Sequence, residues 1–226
     1  MTGLVLQTQA DAPAGRLEDW ARRRGFTLRT LRVDGKDPYP DPREFEFVVA
    51  LGSSASAAGG GPEWVGRVIE FLRAADAADV PVLGICFGSQ VLAAALGGTV
   101  HRLTVPEVGW VTVNSSDTDR IPPGPWMAWH EDGFTLPPLA YELASNAFGV
   151  QAFCDRRHLG VQFHPEVTPP IVERWASSDH ADMERAGVTA EDLDPAPHAA
   201  DAARAAEVLF DGFAARAGLV AVASGA

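Results

Sequence analysis

The sequence is poor in cysteine, has no long apolar run and carries no surplus of basic charge. Two cysteines in 226 residues fit a reducing compartment, and they exclude a small secreted scaffold stapled by disulfides. The chain is long enough to bury a sizeable core without such staples. No stretch reaches the roughly 18 consecutive apolar residues that a membrane-spanning helix needs. The start, MTGLVLQTQADAP, has neither a basic n-region nor an apolar h-region, so no signal peptide is expected. Lys and Arg number 18 against 30 Asp and Glu, for a net charge of −12. A nucleic-acid partner is therefore not expected, because phosphate binding calls for a basic face. The one basic cluster, Arg22 to Arg24, closes an amphipathic stretch, where it complements a helix C-terminus. These absences leave an acidic, cytoplasmic protein with no nucleic-acid or membrane partner as the expectation.

What is present in the first half is an alternation of short apolar runs with helical patterns. LVLQT (4–8), FTLRTLRV (26–33), FEFVVALG (45–52) and VPVLGI (80–85) read as strands. The last of them has the near-continuous apolar character of a strand buried on both faces of a parallel sheet. Helical spacing occupies 15–25 and 62–79, and SSASAAGGG is a small, polar loop. Strands alternating with helices predict βαβ units and an α/β, flavodoxin-like, open and mostly parallel sheet flanked by helices. The second half is richer in strands and more antiparallel: TVHRL, VGWVTV, the YELAS region, and VQAF paired with GVQFH as a hairpin through CDRRHL. From Thr168 the chain turns helical and alanine-rich, with a break at EDLDPAPH. The 226 residues read as a single domain with a C-terminal helical extension over about 168–220, its helix near 199–217 docking on its own sheet or on a second copy, and AVASGA frays at the end.

PVLGICFGSQ places Cys86 between Gly84 and Gly88, at a strand-to-helix junction. Strand, G-x-C-x-G, helix is the layout of a nucleophile elbow, which lifts the nucleophile above the carboxyl ends of the strands. A helix starting at Phe87 aims free N–H groups and positive dipole at the sulfur, favouring thiolate. The competing reading is a buried core cysteine, the usual fate of the free residue. A thiol nucleophile needs a base, and the base needs an orienting group. GVQFHPEV supplies His164 and Glu166 two residues apart, on one face of a strand end. His101, His158, His180 and His198 lack such a partner and read as surface or structural residues. No third ligand stands at a usual spacing from His164 and Glu166, so neither a metal nor another cofactor is expected.

Together, PVLGICFGSQVLAAALGG and GVQFHPEV resemble the nucleophile-elbow and His/Glu blocks of the class I (triad-type) glutamine amidotransferases, over roughly residues 45 to 168. PEVGW (106–110), WHEDGFTLPP (129–138) and the helical tail are similar to the stand-alone, GMP-synthase-like subgroup. The resemblance implies that Cys86 attacks the γ-carboxamide of glutamine, that His164 shuttles protons and that Glu166 orients His164. It further implies an oxyanion hole made by the N–H of Phe87 and an N–H of Gly52 or Ser53, and a substrate contact at Gln90. Two departures from the family stand out. Its Gly-Gly-Pro-like loop is Gly52-Ser53-Ser54 here, and its Ser-His-Gly-Asp-like segment is Trp129-His130-Glu131-Asp132. His130 and Glu131 are thereby candidate substrate-binding residues, with Glu131 either facing substrate or pointing to solvent. Only about sixty residues follow the His/Glu block, too few for an ATP-using acceptor domain. The implied partner is a separate synthase that takes the ammonia. The alternatives are a γ-glutamyl peptide or conjugate hydrolase, a non-catalytic binding or regulatory subunit on the same fold, and a serine or cysteine esterase on a similar sheet.

Overall fold

The computed structural model describes residues 1–35 and 37–219; the AVASGA terminus lies outside them. In chain order the strands are β1 (Thr2–Gln7), β2 (Thr27–Arg32), β3 (Phe47–Ala50), β4 (Val82–Ile85), β5 (Val100–Val111), β6 (Asn114–Ser115), β7 (Trp126–Phe134), β8 (Tyr141–Asn146), β9 (Gly149–Asp155) and β10 (His158–Val161). The helices are α1 (Arg16–Arg23), α2 (Glu63–Ala77), α3 (Phe87–Ala95), α4 (Pro169–Ser178), α5 (His180–Ala186) and α6 (Ala199–Ala217). Eight strands form one sheet in the order β2-β1-β3-β4-β10-β9-β8-β6. The neighbours from β2 to β10 run parallel, and β9, β8 and β6 continue the sheet antiparallel. β5 and β7 pair antiparallel as a separate ribbon.

Period-two alternation decides which face each strand residue serves. Val5, Phe47, Val49, Leu83 and Ile85 face α1 and α6, where they meet Leu17, Trp20, Phe210 and Phe213. Leu4, Leu6, Val48, Ala50 and Val82 face the other way, onto Val68, Leu72, Val91 and Leu92 of α2 and α3. Both faces of the central strands are therefore covered, as a parallel sheet requires. The alanine-rich α6 docks on its own sheet, with Phe213 set edge-on against Phe47 at 6.2 Å between ring centroids. A third cluster, including Val108, Met127, Ile171, Val172 and Met183, ties the β5–β7 ribbon to α4 and α5.

The second half differs from the sequence reading in three places. TVHRL and VGWVTV belong to one long strand, β5, whose register with β7 shifts between Arg102 and Glu107. That irregular stretch, with Pro106 inside it, is what splits the pattern in two. β7 has no counterpart in the sequence reading: nearly every one of its residues is buried, so WMAWHEDGF has no apolar/polar alternation to read. The β9–β10 hairpin turns on Arg156 and Arg157 alone, because His158 already pairs with Asp155.

Candidate active site

Sheet order brings the site together. β10 lies beside β4 with Val161 opposite Ile85, and β3 lies on the other side of β4 with Ala50 opposite Gly84. Cys86 follows β4, His164 follows β10 and Gly52 follows β3, so all three emerge at one carboxyl edge. His164 is further pinned by its backbone N–H, which donates to Met127 O at 2.8 Å.

Cys86 has φ 53° and ψ −114°, a conformation that costs a non-glycine residue on the order of 1–3 kcal/mol. The surroundings hold it there. Its N–H donates to Val161 O at 2.8 Å, and its carbonyl accepts from Ser89 N, Gln90 N and Ser89 Oγ at 2.9, 3.1 and 2.7 Å. A Cβ on Gly88 would sit 1.9 Å from Ala50 O, so only glycine lets α3 start this close to β3. Cys86 caps α3, and the Phe87 N–H is among the helix N–H groups left without an intrahelical acceptor. The sulfur lies 3.6 Å from Trp129 O. Cys154 makes the contrast: it is also buried, away from this edge, and its burial pushes its thiol up.

His164 Nδ1 lies 2.7 Å from Glu166 Oε1. The acceptor-only carboxylate makes Nδ1 the donor and leaves Nε2 buried and without a hydrogen-bond partner. Burial alone would lower the His164 pKa, but the Glu166 carboxylate and Cys86 together hold it well above its ordinary value. Trp175 of α4 packs edge-on against the imidazole, 4.9 Å between centroids, and fixes the ring plane.

The loop after β3 runs against this pair. A Cβ on Gly52 would lie 2.9 Å from His164 Cε1 and 3.7 Å from Cys86 Cβ. Gln90, on the first turn of α3, donates from Nε2 to Asp132 O at 2.9 Å and to Gln162 Oε1 at 3.3 Å. Its side chain is thus oriented by protein, and it borders the cavity. His130 is turned into the protein: its Nε2 lies 2.6 Å from Glu107 Oε2 and its Nδ1 2.9 Å from Asp132 O. Both ring nitrogens are engaged, so what the His130 side chain does is brace β7.

Glu131 does not point to solvent. It lines the cavity mouth and pairs with Arg102 and with Arg185 of α5. The cavity, about 400 Å³, opens over Cys86 and His164. Sequence reasoning misses most of its outer wall. Trp175 and Asp179 reach it only because α4 packs there, and Trp129 Nε1 donates to Asp179 Oδ2 at 3.2 Å. Glu107 is missed too, although it accepts from Asn146 and Gln151 as well as facing His130. An acid in an apolar strand segment, PEVGW, is the signal that could have found it.

A thiol, an imidazole and a carboxylate lie together at the carboxyl edge of a parallel sheet, an arrangement of the kind that acyl-transfer sites with a cysteine nucleophile use. The profile of the glutamine amidotransferase class-I family matches residues 42–172. The chain belongs to that family. It is 38% identical to a glutamine-hydrolyzing GMP synthase subunit of Sulfolobus acidocaldarius over 62% of this chain and 77% of that one. With the corresponding protein of Sulfurisphaera tokodaii it shares 41% identity over 48% of this chain and 65% of the relative. The matched stretch spans only 19% of the glutamine-hydrolyzing GMP synthase of a Parafrankia species, at 44% identity. Among solved structures, a glutamine amidotransferase from Methylobacillus flagellatus superposes with a TM-score of 0.84 at 25% identity, covering 95% of this chain and 94% of the other. One from Thermotoga maritima gives 0.77 at 25% identity, over 96% and 97%. No helix among the described residues is long and apolar enough to cross a membrane.

Proposed function

We propose that this protein hydrolyses the γ-carboxamide of glutamine, as a single cytoplasmic amidotransferase-type domain that releases ammonia for a separate synthase. The observation that carries the reading is the His164 imidazole, oriented by Glu166 and with an uncommitted Nε2, at the sheet edge where Cys86 emerges. In the first step Cys86 Sγ, its proton already held on His164, bonds to the amide carbon. The resulting oxyanion is stabilised by the Phe87 N–H and by an amide of the Gly52–Ser53 loop. His164 then gives its proton to the nitrogen, the C–N bond breaks, and ammonia leaves a γ-glutamyl thioester on Cys86. Water attacks that thioester with His164 as base, the C–S bond breaks, and glutamate departs with the thiol restored. Gln90 and the backbone of β7 at Glu131 and Asp132 are the substrate-facing groups along this wall. Arg102, paired with Glu131 and Asp132, borders the same wall.

A γ-glutamyl peptide or conjugate is the second reading. It is favoured by the cavity volume, which falls within the range of sites that hold ligands larger than one amino acid, and by the Glu131 side chain at the mouth. The decisive experiment is a glutaminase assay beside a γ-glutamyl peptide panel, with mass spectrometry for an acylated Cys86. Glutamate and ammonia from glutamine, a thioester trapped on Cys86, and loss of both in Cys86→Ala are expected. Activity that survives Cys86→Ala overturns the proposal. Turnover of the peptides but not of glutamine transfers it to the second reading.

A further inference from the structure

We infer that Thr8 is the positioning residue of the oxyanion site, its buried hydroxyl holding the Gly52 carbonyl out of the cavity and so aiming the Ser53 N–H into it. The inference rests on the acyl-transfer reading above and adds a residue to it. Thr8 follows β1 at the same carboxyl edge, is 4% exposed, and is no part of the cavity lining, whereas Gly52 and Ser53 are. Its Oγ1 donates to Gly52 O. In a trans peptide the carbonyl and the following N–H point in opposite directions. A Gly52 carbonyl turned back to Thr8 therefore presents the Ser53 N–H on the side of Cys86 and His164, against which Gly52 packs.

The hydrogen bond has a specific task in this chain. Gly52-Ser53-Ser54 contains no proline, so no ring fixes its dihedrals. The residues after it, Ala55 to Gly61, are small and flexible by composition. Side chains supply the restraint instead. Gln9 Oε1 accepts from both Ser54 N and Ser54 Oγ at 2.9 and 3.0 Å, and Gln9 Nε2 is itself held on Asp11 Oδ1 at 2.8 Å. Ser54 N–H is thereby committed away from the cavity. Ser53 Oγ accepts from Ala55 N at 3.1 Å. Of the amides on this segment, Ser53 N–H is the one that a carbonyl lock at Thr8 controls, which decides between Gly52 and Ser53 as the second donor.

The test compares wild type, Thr8→Val and Thr8→Ser on glutamine. It also measures binding of the γ-glutamyl aldehyde, whose thiohemiacetal on Cys86 places an oxygen where the oxyanion forms. Loss of a full oxyanion donor typically costs about 10²–10³ in kcat, and a donor left in place but unrestrained should cost less. Thr8→Val is expected to lower kcat by about tenfold or more with KM changed less than about twofold, and to weaken the aldehyde by a similar factor. Thr8→Ser, which keeps the hydroxyl, should restore both to within about threefold of wild type. Equal kcat in wild type and Thr8→Val overturns the inference. So does a fall in kcat that leaves aldehyde affinity unchanged. If Thr8→Val fails to fold, Thr8→Ala, which also removes the hydroxyl that holds the Gly52 carbonyl, is read the same way. Failure of the parent reading looks different: wild type itself would turn over neither glutamine nor γ-glutamyl peptides and would form no thioester.

Discussion

At the scale of the residue, His164 and its carboxylate govern how the site depends on pH. The imidazole is buried, which alone would push its pKa down, yet Glu166 at 2.7 Å and the Cys86 sulfur hold it well up. The ring therefore keeps its proton above the usual histidine range, and in the proposed reaction the acid for the leaving nitrogen is lost only at high pH. Replacing Glu166 by Gln removes the anion while leaving the burial. An opposite charge at this distance is worth about 1–3 pH units, and without it the direction is downward. The alkaline limb of kcat/KM in Glu166→Gln should accordingly move to lower pH by about that amount. A pH–rate profile of the two proteins checks this, and coincident alkaline limbs would refute the role given to Glu166. The two cysteines differ in their settings. Cys86 sits at a strained helix start facing an imidazole, while Cys154 is walled in and its thiol is pushed up.

At the scale of the element, the site depends on helices remote from it in sequence. α1 begins against the loop that carries Glu166. Arg16 N–H donates to Glu166 O at 2.8 Å, and Arg16 Nε donates to Val167 O at 2.7 Å. Gly15, the residue before the helix, has φ +50°, and a Cβ there would lie 2.2 Å from Glu166 O. Gly15→Ala meets both obstacles, a left-handed conformation and a backbone clash. It should lower stability by about 1–3 kcal/mol and kcat by about tenfold or more, because the atom it strikes belongs to the residue that orients His164. Thermal melting and steady-state rates check the two effects; a Gly15→Ala protein with unchanged kcat would show that the brace does not reach His164. This brace also marks the limit of what the sequence discloses. Cys86, His164 and Glu166 are legible because their chemistry lies in short local patterns, and the parallel strands are legible because burial on both faces writes a continuous apolar run. The outer wall of the cavity is not legible. Trp175, Asp179 and Asp182 carry no local pattern, and they become neighbours of the site only when α4 and α5 dock on the β5–β7 ribbon. Likewise β7 hides because Glu107 and the carbonyl of Asp132 satisfy His130 within the fold, so a buried polar residue reads as exposed.

At the scale of the whole molecule, a second histidine links acid stability to the strand that leads into Cys86. His158 begins β10 and is 2% exposed. Its Nδ1 accepts from the N–H of Val82, the first residue of β4, at 3.1 Å, and its Nε2 lies 2.8 Å from Asp76 Oδ1 of α2. One ring thus joins the β9–β10 hairpin, strand β4 and the helix covering them. A proton on Nδ1 would face the Val82 N–H donor to donor. Burial pushes the His158 pKa down to about 4, with Arg156 and Arg157 acting in the same direction and Asp155 and Asp79 opposing them. An unfolded histidine titrates near 6.5. Between those values the unfolded chain takes up a proton that the folded chain refuses, so stability rises with pH across this window. The contribution is complete above about pH 6.5 and falls away as pH drops toward 4. The ceiling is about 3 kcal/mol, and the Asp76 carboxylate, which favours the protonated ring, keeps the realised value below it. Carboxylates elsewhere titrate in the same range, so the informative quantity is a difference between proteins. His158→Gln keeps an acceptor for Val82 but binds no proton. The loss of stability from pH 7 to pH 4.5, measured by urea unfolding, should be smaller in His158→Gln than in wild type by about 1–3 kcal/mol. Equal slopes in the two proteins would show that His158 takes up its proton without opening the sheet beneath Cys86.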